Sequence, residues 1–290
     1  MSLAADVIAR HPALLPGIKR QAEVLLAAYD GNPRLSSIFA TQQRWLMAHI
    51  GLALYFRRGP ADLRNGLTVA RFLDKVSDHG VASQNTADAF AREMLKYEIV
   101  RLLPNEYDRR LKPMEPTEAT LDAIASWVAL HLATLDSLDG GARAADFAAN
   151  PAALAALQPM IAEGLLTLDA IREPAGTFSL FTWLNNGGVV MERMIAGLGD
   201  AEAGVPRVPT SIHSVAGMAE WLRLSRTHLT RKLREAQALG SIGWEGERGR
   251  SPMWVSADFL AEIAAAQAAK LAVIDAAYDA CFGGREMLTD

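Results

Sequence analysis

Along most of this 290-residue chain, apolar side chains recur at intervals of three and four residues among abundant Ala, Leu, Glu and Arg. That spacing lines them up on one side of an α-helix, which turns once in about 3.6 residues, so the chain is expected to be mainly α. Ile38, Trp45, Leu46, His49, Ile50 and Leu52 to Phe56 predict a helix from about Ser36 to Arg58. Leu121, Ile124, Trp127, Val128 and Leu132 predict another, opened by Thr117 with Glu118 behind it, where a negative charge suits the positive end of the helix dipole. A further helix runs from Ser256 as N-cap to about Cys281, with Leu260, Ile263, Leu271, Ile274 and Tyr278 on one stripe whose single polar member is Gln267. Such a seam needs a helix to pack along.

Two stretches interrupt the helical pattern with strand character and turn residues, Tyr97 to Pro116 and Ser241 to Val255. Each follows a short helix, a turn and a second helix, and each precedes a long helix with Thr or Ser at its start. This order predicts an internal repeat. Matching Leu95 with Leu239 gives an offset of 144, and matching Val69-Ala70 with Val215-Ala216 gives 146, a difference of two residues assigned to the turn. The expected organisation is an N-terminal unit over 1–139, an alanine-rich helical connector over 140–178 and a C-terminal unit over 179–290.

In the second copy, Val215 to Leu222 reads as a short helix, Arg223 to Ser225 as a tight turn, and Ser225 as the cap of a helix reaching about Leu239. Leu229, Leu233 and Ala236 fall on one side of that helix, while Arg226, Thr227, Thr230, Arg231 and Arg234 occupy its other flanks. A guanidinium grips a guanine edge or a phosphate through two donors at once, a threonine hydroxyl reaches phosphate oxygen, and the helix N-terminus attracts anions. Next come Ile242-Gly-Trp244, a glycine-rich tip with Arg248 and Arg250, and Ser251 to Val255, which read as a hairpin whose arginines suit phosphates or a minor groove.

The first copy runs from Ser83 through Gln84-Asn85-Thr86, Arg92-Glu-Met-Leu95 and Ile99-Val100-Arg101 to Asp108-Arg109-Arg110-Leu-Lys112 and Thr117-Glu118. This series resembles the winged-helix core of the multiple antibiotic resistance regulator (MarR-like) family, whose wing carries Asp-x-Arg followed at fixed distance by a Leu-Thr pair. Asp108, Arg110 and Thr117 match, and Pro116 stands where the leucine would be. The resemblance implies that Arg110 contacts DNA and that Asp108 orients the wing; on the helix before it Gln84, Asn85, Thr86 and Arg92 can reach the duplex while Asp88 repels phosphate, and Arg109 stands beside Arg110 as a further contact. Family members usually carry one such unit and pair as homodimers. Two units in one chain then imply a mainly α protein with two winged helix-turn-helix units, each with a small β-hairpin wing, joined by long helices in a pseudo-twofold arrangement. The expected partner is double-stranded DNA, with a small aromatic or apolar effector held near Trp45, Trp127, Trp183 and Trp221, in a chain that is monomeric (a pseudo-dimer) or homodimeric.

Composition excludes several classes. Half the residues are hydrophobic and 21% charged, which is close to the globular average and far from disorder. The net charge of −4 requires any DNA-binding face to be local. A single cysteine, Cys281, permits no intramolecular disulfide. Neither a basic, unbroken leader at the start nor an uncharged apolar run of about 18 to 20 residues occurs, so a cytoplasmic protein without a membrane span is expected. No phosphate loop, dinucleotide fingerprint, nucleophile elbow or zinc-protease motif is present, and the six histidines are scattered. The expectation is therefore no enzyme, no cofactor and no metal. Two other readings fit the same residues: a tandem winged-helix interaction module that does not bind DNA, and a plasmid-type replication initiator.

Overall fold

The computed structural model describes residues 2–32, 39, 41–57, 65–104, 111–199, 205–248 and 250–283. In chain order the elements are α1 (Ala5–Arg10), α2 (Leu14–Gly31), α3 (Gln42–Phe56), α4 (Val69–Asp78), α5 (Gln84–Lys96), β1 (Val100–Leu102), β2 (Met114–Pro116), α6 (Glu118–Asp139), α7 (Arg143–Ala149), α8 (Leu154–Thr167), α9 (Asp169–Arg172), α10 (Gly176–Thr182), α11 (Gly187–Ala196), β3 (Arg207–Pro209), α12 (Val215–Trp221), α13 (Arg226–Ala238), β4 (Ile242–Trp244), β5 (Met253–Ser256) and α14 (Ala257–Phe282). The protein is mainly helical, with its strands confined to small antiparallel sheets. Among the described residues no helix is long and apolar enough to cross a membrane. The chain divides into two compact units that are discontinuous in sequence: Met1–Leu3 with Gln43–Leu168 and Leu271–Asp290, and Ala4–Gln42 with Asp169–Lys270.

In the first of these units, Thr68 and Ser83 cap α4 and α5, their side-chain oxygens accepting the N–H of Arg71 and of Thr86. Phe72 of α4 stacks on Phe90 of α5 with ring centroids 6.1 Å apart, which sets the angle between the two helices. The chain then forms an antiparallel pair, Val100 opposite Pro116 and Leu102 opposite Met114. Met114 N–H donates to Leu67 O (2.8 Å), so the segment before α4 is drawn onto the same hairpin. Thr117 opens α6 as expected, yet its hydroxyl donates back to Glu98 O (3.0 Å) and closes the hairpin base instead of capping the helix. Leu132, Leu135, Leu157, Ile161 and Leu165 are fully buried and form the core of α6 and α8. Of the helix expected from Ser36 to Arg58, Gln42–Phe56 is helical and Phe39 and Thr41 are not, while 36–38, 40 and 58 lie outside the described residues.

In the second unit β5 lies between β3 and β4, and Val208, Val255 and Ile242 pair across all three strands as one buried apolar row. On the opposite side Gly243 faces Trp254, and a Cβ there would lie 2.2 Å from an indole carbon, so only glycine lets the ring lie over the strand. Phe181 of α10 stacks on Phe259 of α14 at 5.8 Å. Ser256 caps α14, its hydroxyl accepting Phe259 N–H (3.2 Å). Of the expected seam along α14, Ile263 is fully buried in this unit, and Leu271 and Ile274, which belong to the first, are fully buried there.

Both units thus run helix, turn, helix, two-stranded hairpin, long helix. The first helices start 146 residues apart, at Val69 and Val215, whereas the second start 142 apart, at Gln84 and Arg226. The expected offset of 144 came from matching Leu95, which lies inside α5, with Leu239, which follows the last residue of α13. The true difference of four arises because α4 has 10 residues against 7 in α12 and the turn after α4 is one residue longer.

Candidate nucleic-acid interface

The entrance to α13 is braced from two other elements of its unit. Leu222, just after α12, is fully buried, and its carbonyl accepts from Tyr29 Oη (2.9 Å) on α2 and from Asn186 Nδ2 (3.1 Å) at the start of α11. Trp221 Nε1 donates to Asp30 (2.9 Å), and its ring lies 5.2 Å from that of Tyr29. Burial raises the Tyr29 pKa, with the Arg223 cation opposing the shift, so the hydroxyl keeps its proton for Leu222. Arg223 itself has a positive φ of 52°.

Along α13 the residues advance by about 100° each, which puts Thr227, Arg231 and Arg234 opposite Leu229, Leu233 and Ala236. Burial follows that division: Leu229, Leu233 and Ala236 are buried, while Ser225, Arg226, Thr227, Arg231 and Arg234 are exposed and Thr230 is half-buried. Thr68, Ser83 and Ser214 all use their side chains to cap the helix that follows, but Ser225 does not. From Arg223 to Arg234 there are five Lys and Arg side chains and no carboxylate. The first acid is Glu235, which Lys232 engages at 2.7 Å and holds below the usual carboxylate range, with Arg231 at a looser 3.9 Å. Arg226 and Arg234 make no ion pair among the described residues.

The β4–β5 hairpin has a short tip closed by Gly246 N–H to Ser251 Oγ (2.9 Å) and by Ser251 Oγ–H to Glu247 O (2.9 Å). Arg248 and Arg250 are both exposed there. Arg250 pairs with Glu247 (2.9 Å) and Arg248 lies 5.9 Å from the Trp244 ring. With Glu245 also on the tip, its charges balance, so this hairpin is less cationic than its arginines alone suggest.

The corresponding helix of the other unit differs in charge. Gln84, Asn85 and Thr86 are exposed at the start of α5, with Thr86 Oγ 3.0 Å from Ser83 Oγ. Arg92, on the outer face, is paired with Asp88 one turn earlier, and Glu93 is held by Arg44 (2.8 Å). The helices α4 and α5 with their turn carry four cations and four carboxylates, so no net field projects from them. Asp108, Arg109 and Arg110 lie outside the described residues. Arg101 on β1 is engaged by Glu115 on β2 at 2.7 Å.

Of the tryptophans considered for an effector, Trp45 and Trp127 pack with His49 and His131, their rings 4.0 to 6.2 Å apart. Gln158 Nε2 donates to His49 Nδ1 (3.1 Å) beneath them. These rings fill the space with one another. Trp221 belongs to the braced turn of the other unit, where Trp183 is 59% exposed. Among the described residues no three of His, Cys, Asp and Glu are grouped so as to hold a metal ion.

The cationic helix and the hairpin tip are plain in sequence, but the supports of that helix are not: Tyr29, Asp30 and Asn186 lie 193, 191 and 36 residues from their partners. Their only sequence signal is polar character on otherwise apolar helices. No known protein family, curated protein or solved structure matches the chain.

Proposed function

We propose that the protein is a transcriptional regulator that binds duplex DNA, with α4–α5–β1–β2 and α12–α13–β4–β5 as two winged helices and α13 as the main recognition helix. The observation that carries this reading is the exposed face of α13, where Arg226 and Arg234 have no counter-ion among the described residues, beside Thr227, Thr230 and Arg231. An array of unneutralised guanidiniums on a rigidly braced helix calls for a dense anionic surface, and the DNA backbone is one, with a charge per roughly 1.7 Å of axis. A bidentate arginine then discriminates guanine by about 1 to 3 kcal/mol.

The test is fluorescence anisotropy of a labelled duplex across a potassium chloride series. If the three α13 arginines each neutralise one phosphate, log K falls against log salt with a slope near −2.7, steeper by about 0.9 for each hairpin arginine that joins them. Binding that is flat in salt would overturn the proposal. The Asp88–Arg92 pair favours a second role for the other unit, with α5 as a protein-facing helix. An α5 of that kind contributes nothing to the salt slope, and Arg92→Ala leaves it unchanged.

A further inference from the structure

Both units end the first of their paired helices with the same backbone device. After α4, Gly80 turns into the left-handed region (φ 59°), Val81 N–H donates to Val76 O (3.0 Å) and Gly80 N–H to Ser77 O (2.9 Å). After α12, Arg223 takes that position (φ 52°), Leu224 N–H donates to Ala219 O (2.9 Å) and Arg223 N–H to Glu220 O (3.1 Å). The two bonds span the same residue separations in both places, the pattern of a Schellman cap, whose left-handed residue is ordinarily glycine because a Cβ crowds the neighbouring carbonyl.

One copy therefore carries the residue the backbone prefers, and the other carries an arginine at a conformational cost. Among the described residues no hydrogen bond or ion pair of its side chain offsets that cost. Arg223 is exposed, its guanidinium makes no hydrogen bond or ion pair among the described residues, and its backbone bond is one that glycine makes equally well. Its position is fixed, because the preceding Leu222 carbonyl is held by both Tyr29 and Asn186. It also opens the carboxylate-free run that ends at Arg234, whereas Gly80 leads into the charge-balanced α5. The same cap after α5 holds Glu98 (φ 56°) where Gly240 stands after α13, so a left-handed non-glycine alone marks nothing; what sets Arg223 apart is its place at the head of the carboxylate-free run, and strain of this kind clusters at functional sites.

We infer that Arg223 is a phosphate contact of the α13 interface, retained in a glycine position because its charge is needed there. The inference rests on the reading of α13 as a DNA-binding helix, and its test separates the two. The full chain carrying Arg223→Gly, Arg223→Asn or Arg223→Lys is titrated with a fluorescein-labelled mixed-sequence duplex of roughly 20 base pairs, about two helical turns, in a potassium chloride series. Thermal unfolding is followed on the same proteins.

Glycine and asparagine both tolerate the left-handed region. They are expected to leave Tm unchanged or raise it by about 1 to 3 °C, while affinity at about 0.1 M salt falls about five- to ten-fold and the log–log slope flattens by about 0.9. Lysine, which keeps the charge and the strain, should keep the slope. If Arg223→Gly lowers Tm and leaves the slope untouched, the arginine is a structural residue and the inference falls. It falls too if lysine loses as much as glycine. A wild-type chain that binds no duplex removes the DNA reading itself, whereas wild-type binding with unaltered slopes in the glycine and asparagine variants removes only the role of Arg223.

Discussion

Alanine in place of Arg226, Arg231 and Arg234 together is expected to weaken duplex binding roughly 500-fold at about 0.1 M salt, about 3.7 kcal/mol. The figure follows from counter-ion release, since each phosphate contact with a slope of about −0.9 is worth roughly eight-fold at that salt concentration. The slope itself should flatten by about 2.7. These side chains are exposed and lie away from the buried Leu229, Leu233 and Ala236, so Tm should move little. By contrast Arg92→Ala should change binding by less than about two-fold, because Asp88 already neutralises that cation inside the helix. Arg110→Ala is the counter-test, since Arg110 is the wing residue expected from the sequence to contact DNA in the other unit. If Arg110→Ala abolishes binding while the triple substitution leaves it intact, the two helices contribute in the reverse order.

The largest expected loss of stability comes from Arg143→Ala. Its side chain is 10% exposed, and its guanidinium donates to Asp139 (2.7 Å), Asp136 (3.2 Å) and Asp275 (2.7 Å), joining the end of α6 and the start of α7 to the last turns of α14. Leu3 N–H adds a bond to Asp275 (2.7 Å), a residue only 2% exposed at its side chain. Removing this cation leaves three carboxylates facing one another in a poorly solvated corner, with no other cation on them among the described residues. Breaking a buried ion pair in this way costs about 3 to 5 kcal/mol, which for a chain of this size lowers Tm by roughly 10 °C.

The pH dependence supplies an independent check. The hydrogen bond from Arg143, above all, holds the Asp139 carboxyl below the usual carboxylate range. Its folded pKa lies under its unfolded one, so its stabilisation is fully present above the ordinary carboxylate value of about 4 and is lost as pH falls through the lower folded value. In Arg143→Ala the sign reverses, because crowded carboxylates without a cation bind protons more readily in the fold. The stability gap between variant and wild type, measured by chemical denaturation, should therefore narrow as pH drops toward 4. A gap that stays constant, or a Tm within about 1 °C of wild type at neutral pH, would mean the corner is solvated enough to need no cation.

How much could be read beforehand depended on whether the determinants were local. The stripe Leu229, Leu233, Ala236 follows from spacing alone, and so does the opposite cationic face, because helical periodicity needs no partner to be seen. Ser256 as the cap of α14 and the pairing of the two hairpins were legible for the same reason. The charge on the β4–β5 tip was half legible: Arg248 and Arg250 are plain in sequence, while the pairing of Arg250 with Glu247 required the turn to be closed. Thr117 was read as a cap from residue type, and the hairpin base took its hydroxyl instead. Tyr29, Asn186 and Arg143 look like ordinary helix residues until the chain has folded. The left-handed turn at Arg223 was invisible for a different reason, since the residue type argues against it.

The bond between Tyr29 and Leu222 sets a condition on how the protein is made. Tyr29 leaves the ribosome 193 residues before its partner, an interval of about 10 to 40 s at ordinary translation rates. For most of it α2, whose Leu14, Ile18 and Leu26 are buried in the finished unit, has no α11 to pack on, since α11 begins only at Gly187. The helix that braces the turn before α13 must wait, apolar face uncovered, for most of synthesis, the period in which a chaperone that shields amphipathic segments would act on it.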